Sequence, residues 1–237
     1  MPTATLYLVP ASLGDSRPDS ILPAEVLRIA RGLRYFVVED AKSARAELKR
    51  IGVTRPIQDI DIRELPREPK QADLDVLLAP LLTGASVGLM SEAGAPAVAD
   101  PGALLVRAAH ARGIRVAPLV GPSSLLLALM ASGLNGQNFA FQGYLPVREP
   151  ERSKRIAELE QESHREGRTQ IFIETPYRNT ALFNALLQAC RPDTQLCLAS
   201  DLTTDGENIE TRRIDAWRTG PAPALEKRPT VFLLLAC

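Results

Sequence analysis

"VGLMSEAGAPAVADPGALLVRAAHARGIRVAPL", residues 87–119, decides the reading of the first half of the chain. Val87–Met90 is an apolar run without polar alternation, the pattern of a strand buried on both faces of a sheet. Residues 91–102 then place two glycines and two prolines among small side chains, a composition that no regular element accommodates. Ala103–Arg112 carries apolar residues at helical spacing and stops at Gly113, and Arg115–Leu119 reads as another strand. Strand, loop, helix and strand in that order need a crossover connection, and so a parallel pair.

The same alternation extends towards the N-terminus. Thr5–Val9 and Tyr35–Val38 read as strands, and Pro23–Leu33, Ser43–Arg50 and Ala72–Leu82 as helices, the last two closed by Gly52 and Gly84. Around Pro118–Pro122, "PLVGP" continues neither element, which places a domain boundary there: 1–118 as an N-terminal α/β domain and 119–237 as a C-terminal one. The second half offers helices at Ser123–Ala131, Glu151–Glu162 and Asn179–Cys190, with strands at Phe139–Gly143 and Gln170–Ile173. It closes with three strand-like segments, Leu196–Ala199, Asn208–Ile214 and Thr230–Leu235, so a mixed, partly antiparallel sheet is expected there.

Composition excludes several classes. Lys plus Arg equals Asp plus Glu at 28 each, so no basic field draws the whole molecule to nucleic acid and any RNA contact must be local. Cys190, Cys197 and Cys237 have no C-x-x-C spacing and are odd in number, which predicts three free thiols in a reducing compartment. The N-terminus lacks a basic leader region and the longest apolar runs are too short to span a bilayer, so a cytoplasmic protein without membrane association is expected. No phosphate-cradling G-x-x-x-x-G-K-[ST], no G-x-G-x-x-G after the first strand and no G-x-S-x-G elbow is present. Two histidines and no paired cysteines leave no ligand set for a zinc or two-metal site.

In open parallel sheets, ligands settle beyond the carboxyl ends of the strands. Five post-strand segments carry the unusual residues: Pro10–Asp15, Glu39–Arg45, 91–102, Gly121–Ser124 and Glu174–Asn179. Together they outline one cleft for a small ligand without phosphate. Each has a plainer reading. Asp100 suits a helix N-cap followed by Pro101, and one of Ser123 and Ser124 suits another. Glu39 and Asp40 could form a solvated cluster with Lys42 and Arg45, and Glu174 could complement a helix start near Arg178. Gly94 and Pro96 are not explained by capping: a loop of Gly, Ala and Pro offers backbone polar groups without bulk, as close approach to a flat ligand requires.

"TLYLVPASLGD", "FVVEDAKSAR", "SEAGAPAVADPG", "PLVGPSS", "FQGYLP" and "IFIETPYRN" stand in the order and spacing of a known family. On these six stretches the chain resembles the class III, tetrapyrrole-methylase-like S-adenosylmethionine-dependent methyltransferases, nearest the ribosomal RNA small subunit methyltransferase I branch. The resemblance implies two α/β domains with S-adenosylmethionine folded between them, a homodimer, and 2'-O-methylation of a cytidine in small-subunit rRNA. It maps cofactor contacts onto Pro10, Gly94, Ala95, Val98, Ser123 and Ser124, and more loosely onto Ile173, Pro229 and Thr230. Glu39, Asp40 and Glu174 are then the candidate bases, with Lys42 and Arg178 orienting an anion. A tetrapyrrole or other small molecule remains the alternative acceptor, and a basic strip along Arg148, Arg152, Lys154 and Arg155 would favour RNA. A non-enzymatic sensor or scaffold is the third reading.

Overall fold

The computed structural model describes residues 4–236, which form two compact units that meet in sequence between Ser123 and Ser124. The division falls five residues beyond the boundary expected at 118/119. Residues 119–122 are held by the first unit: the Leu119 N–H donates to Leu8 O at 3.0 Å, and Gly121 lies against the ring of Pro10.

In the first unit the chain runs β1 (Thr5–Leu8), α1 (Pro18–Ile21), α2 (Ala24–Gly32), β2 (Tyr35–Val38), α3 (Ala41–Ile51), β3 (Asp61–Glu64), α4 (Gln71–Leu82), β4 (Val87–Met90), α5 (Gly102–Ala111) and β5 (Arg115–Pro118). All five strands pair in parallel in the order β3-β2-β4-β1-β5. Apolar layers cover both faces, which explains the unalternated runs. Phe36, Val38 and Met90 pack with Leu27, Ala30 and Leu48 from α2 and α3, whereas Val37, Val87 and Leu89 pack with Leu78 and Leu105 from α4 and α5. Gly88 is required by the first layer, since a Cβ there would sit 2.7 Å from the Phe36 ring. The strand β3 was not foreseen. Its sequence, Asp-Ile-Arg-Glu, is that of an edge strand with an Arg63–Asp61 ion pair at 2.6 Å, and no apolar run marks it.

The second unit comprises α6 (Ser124–Ser132), β6 (Phe139–Tyr144), α7 (Glu151–Glu166), β7 (Thr169–Ile173), α8 (Asn179–Ala189), β8 (Gln195–Ser200), β9 (Asn208–Arg213), α9 (Ile214–Thr219) and β10 (Thr230–Leu235). The strand order is β6-β7-β10-β8-β9, with β6 and β7 parallel and every other pair antiparallel, the mixed sheet expected from the sequence. Phe172 and Phe232 stack at 5.9 Å between neighbouring strands and anchor a core with Ile156, Leu159, Phe183, Leu186 and Trp217. The Trp217 indole donates to Leu196 O at 2.9 Å and meets the Phe183 ring edge-on, which buries α9 against β8. Cys190 and Cys197 are buried free thiols, and burial raises the pKa of both, so neither is a reactive nucleophile. Cys237, the third expected free thiol, lies outside the described residues.

Candidate functional site

The strand order puts a reversal of direction inside the first unit. β1 and β4 are neighbours, yet the chain leaves β1 towards β2 over one face and leaves β4 towards β5 over the other. Their carboxyl ends therefore open at a topological switch point.

Two loops are stitched together across that opening. The Ala11 N–H donates to Gly94 O at 2.9 Å and the Gly94 N–H to Ala11 O at 3.1 Å. Gly94 has φ +70°, and a Cβ there would stand 3.1 Å from Leu13 Cδ2 and 3.4 Å from Pro122 O. Both the backbone conformation and the space call for glycine. Pro10 is buried against Gly121, Ala95 is half-buried and Val98 is 48% exposed. Ser123 closes this unit and Ser124 opens α6, both half-buried.

The loop after β4 is held in an uncommon conformation. Ala97 and Ala99 have φ of 66° and 64°, left-handed for residues that carry a Cβ. Asp100 pins them: its carboxylate accepts from Ala97 N–H at 2.9 Å and from Gly102 N–H at 2.6 Å. The helix α5 starts at Gly102, one residue before the expected Ala103, with Pro101 rather than Asp100 as its N-cap residue, while the Asp100 carboxylate serves both the helix start and the loop.

The carboxylates at the ends of β2 and β4 are not equivalent. Asp40 is the N-cap of α3, accepting from Ser43 N–H at 2.7 Å and Ser43 Oγ at 2.8 Å, and those bonds lower its pKa. Glu39 is exposed and accepts at 3.3 Å from Glu92 N–H. Burial, with Glu39 and Asp40 nearby, raises the pKa of Glu92, and burial likewise raises that of Asp100. Lys42 is exposed and close enough to Asp40 to favour its charge.

Sequence reasoning missed Glu47. Its carboxylate is buried in α3 and accepts from Ser12 N–H at 3.0 Å, Ser12 Oγ at 2.7 Å and Arg50 at 2.9 Å. Arg50 also donates to Gly14 O at 3.1 Å and to Ser16 O, so one ion pair holds the whole loop after β1. The i,i+3 spacing of Glu47 and Arg50 was the available signal, but a surface helix pair looks the same in sequence.

In the second unit, Ile173 ends β7 opposite Val231, and Glu174 follows with its side chain only 5% exposed. Glu174 accepts from Arg178 at 2.6 Å and from Thr175 N–H at 2.6 Å, which makes it a structural ion-pair partner. Arg178 is the N-cap residue of α8, and the Asn179 side chain donates to Arg228 O at 2.7 Å. Pro229 is exposed; the Thr230 hydroxyl is buried and engaged with Ser200 Oγ at 2.9 Å and Arg228 O at 3.0 Å. Thus the Thr175–Arg178 turn and residues 227–230 are tied to one another, while the two candidate groups Glu39 and Glu174 belong to different units. Among the described residues, no cluster of His, Cys, Asp and Glu is arranged to hold a metal ion.

Carboxylates of opposite shift give opposite pH signatures. Asp40, with its folded pKa below the ordinary 3.8, stabilises the fold above that value, and the contribution is lost as pH falls through the depressed folded pKa. Asp100 has the reverse sign: its raised pKa favours folding in acid, and that contribution is lost as pH rises from 3.8 through the folded value. Carboxyl-carbon NMR titration is expected to place Asp40 below free aspartate and Asp100 above it. An Asp100 midpoint at or below that of Asp40 would show the buried loop to be open.

Comparison with known proteins adds four findings. The sequence profile of the family described as Tetrapyrrole (Corrin/Porphyrin) Methylases matches residues 5–216. The ribosomal RNA small subunit methyltransferase I of Xylella fastidiosa (strain Temecula1) is 36% identical over 174 residues, 73% of this chain and 59% of that protein, so the match spans less than two thirds of that relative. The protein of the same name from Mesorhizobium japonicum is 34% identical over 212 residues, 89% of this chain and 68% of its own. A crystal structure of the methyltransferase CobJ superposes with a TM-score of 0.63 at 19% identity, covering 99% of this chain and 94% of CobJ, and agrees in fold.

Proposed function

The chain belongs to the tetrapyrrole methylase family, and from that premise we propose that it is an S-adenosylmethionine-dependent methyltransferase that 2'-O-methylates a ribose of small-subunit rRNA. The observation that carries the cofactor reading is the Ala11–Gly94 bridge at the switch point. It engages the amides and carbonyls of Ala11 and Gly94 with each other and so fixes the flanking backbone of both loops, and neither Pro10–Ser12 nor 91–98 contains a lysine or arginine. Loops without a cationic side chain, and with Glu92 among them, suit a cationic, phosphate-free ligand better than a nucleotide phosphate. When bound, S-adenosylmethionine supplies a methyl group on a positively charged sulfur.

In the first unit, Pro10, Gly94, Ala95, Val98 and Ser123 would hold it; in the second unit, taken by itself, the candidate contacts are Ser124, Ile173, Pro229 and Thr230. With the Thr230 hydroxyl and the Glu174 carboxylate engaged elsewhere, those two act through backbone and through Arg178 respectively. Of the candidate bases, Glu39 is the one exposed and uncommitted to a cap or an ion pair, so it takes the hydroxyl proton in this reading. Lys42 in the first unit and Arg178 in the second are each candidates for orienting an anion of the substrate, and Asp40 keeps α3 and hence Glu39 in place.

One observation favours the alternative, a tetrapyrrole or other small acceptor. Half of the basic strip is neutralised: Arg152 pairs with Glu149 at 2.9 Å, and Arg155 with Glu158 at 3.2 Å and Glu162 at 3.4 Å, leaving Arg148 and Lys154. Incubation with methyl-labelled cofactor and small ribosomal subunits from a strain lacking the protein separates the readings. Label is expected on a ribose of the rRNA, with turnover about a hundredfold slower in Glu39→Gln. Label absent from RNA and present on an added tetrapyrrole would replace the acceptor.

A further inference from the structure

The end of β6 carries a feature that methyl transfer does not use. Phe141 stands opposite Ile171 and Tyr144 opposite Ile173, so three residues of β6 span two of β7. The extra residue is a β-bulge, and Gly143 takes φ +68° within it. No atom lies within 4 Å of where its Cβ would be, so this glycine is needed for backbone conformation alone. Bulges re-aim side chains. Here the bulge leaves Tyr144 59% exposed at the carboxyl end of an edge strand.

A second exposed tyrosine follows β7, the strand with which β6 pairs. Tyr177 is 80% exposed in the turn closed by Arg178 N–H donating to Thr175 O at 2.9 Å, four residues beyond the Ile173 that pairs with Tyr144. Arg178, the residue after Tyr177, is held by Glu174 at 2.6 Å and is near enough to Tyr144 for the phenol to influence it. Lys227, also exposed, donates its backbone N–H to Pro176 O at 3.2 Å, which ties the backbone of another cationic residue to the residue before Tyr177. Two accessible π-faces flanked by cations match the chemistry that binds unpaired bases by stacking and their phosphates by charge.

Building on the rRNA reading above, we propose that Tyr144 and Tyr177, with Arg178 and Lys227 beside them, form a stacking platform that binds splayed-out, unpaired nucleobases of an RNA substrate. The tyrosines supply stacking, and Lys227 supplies a phosphate contact that is indifferent to the base.

Fluorescence anisotropy with a labelled unstructured RNA oligonucleotide, and with the same sequence as a duplex, tests this on the full chain. Tyr144→Ala and Tyr177→Ala are each expected to weaken single-strand binding by about 5- to 100-fold. Tyr→Phe at either position, which keeps the π-face, is expected to stay within about twofold, and S-adenosylmethionine titration of each variant reports that the fold is intact. The salt slope should be unchanged in the tyrosine variants and fall by about one in Lys227→Ala. Alanine variants that bind the single strand as tightly as the parent overturn the platform while leaving the rRNA assignment standing. Parent protein that binds neither RNA overturns the rRNA assignment and the platform together. Loss of tetrapyrrole binding in the alanine variants with RNA affinity unchanged reassigns the tyrosines to a small macrocycle.

Discussion

Glu47→Ala is expected to destabilise the first unit by about 3 kcal/mol, the low end of the cost of removing one partner from a buried ion pair. The low end applies because the partner, Arg50, keeps 34% side-chain exposure while Glu47 has 9%, so water recovers part of the stranded charge. The buried Ser12 N–H and hydroxyl lose their acceptor at the same time, and Arg50 is left holding Gly14 O and Ser16 O from a displaced α3. For a chain of this length such a loss lowers Tm by on the order of 10 °C. The loop after β1 is the same loop that bridges to Gly94, so cofactor affinity should fall by at least about tenfold as binding must re-form it. Glu47→Gln keeps an acceptor for Ser12 and should lose less of both. Denaturant unfolding and calorimetric titration with S-adenosylmethionine measure the pair; an alanine variant within about 0.5 kcal/mol of the parent would mean the network is a surface decoration.

Gly121→Ala should be nearly as damaging, for a steric reason. A Cβ at this position would lie 2.3 Å from Pro10 Cγ and 2.4 Å from Pro10 Cβ, with Leu22 Cδ2 at 3.2 Å. Pro10 is buried and its ring cannot rotate away, so the backbone of 119–122 must move, breaking the Leu119–Leu8 hydrogen bond as it does. Overpacking of this sort costs about 1–3 kcal/mol. Because Pro10 and the carbonyl of Pro122 beside Gly94 shift with it, S-adenosylmethionine binding should be lost over the concentration range in which the parent saturates. Gly143→Ala is the matched control: its Cβ meets nothing, and the strain of a left-handed alanine costs about 1 kcal/mol without touching the cofactor loops. Equal loss of cofactor binding in both variants would show that a general weakening, not the Pro10 contact, is responsible.

How far the sequence could be read depended on whether a residue's environment was local. β2, β4 and β10 announced themselves as apolar runs because helices or further chain cover both faces of their sheets. β3 did not, because an edge strand of Asp, Ile, Arg and Glu is held by backbone pairing to β2 and carries no burial signal. α9 was hidden for a related reason: Ile214–Thr219 is too short to display a helical period, and its place is set by Trp217 reaching β8. The glycine- and proline-rich loop 91–102 was legible as irregular because that property belongs to the backbone itself, whereas Gly94, marked in the sequence for approach to a ligand, owes its glycine in the structure to a φ of +70° and to Leu13 and Pro122 beside it.

Periodicity alone determined an α/β chain with a parallel sheet followed by a mixed one, because hydrophobic spacing is set by how each segment is buried. Which carboxylates are free and which are occupied was decided only in three dimensions. Glu39, Asp40, Glu47 and Glu174 are chemically near-identical in the sequence, yet one is exposed, one caps a helix, and two hold arginines. Glu47 meets Ser12 across 35 residues of chain, and Ala11 meets Gly94 because the order β3-β2-β4-β1-β5 sets β1 beside β4. A carboxylate's charge state and availability follow from its partners, and partners distant in sequence are chosen by strand order, which no local pattern encodes.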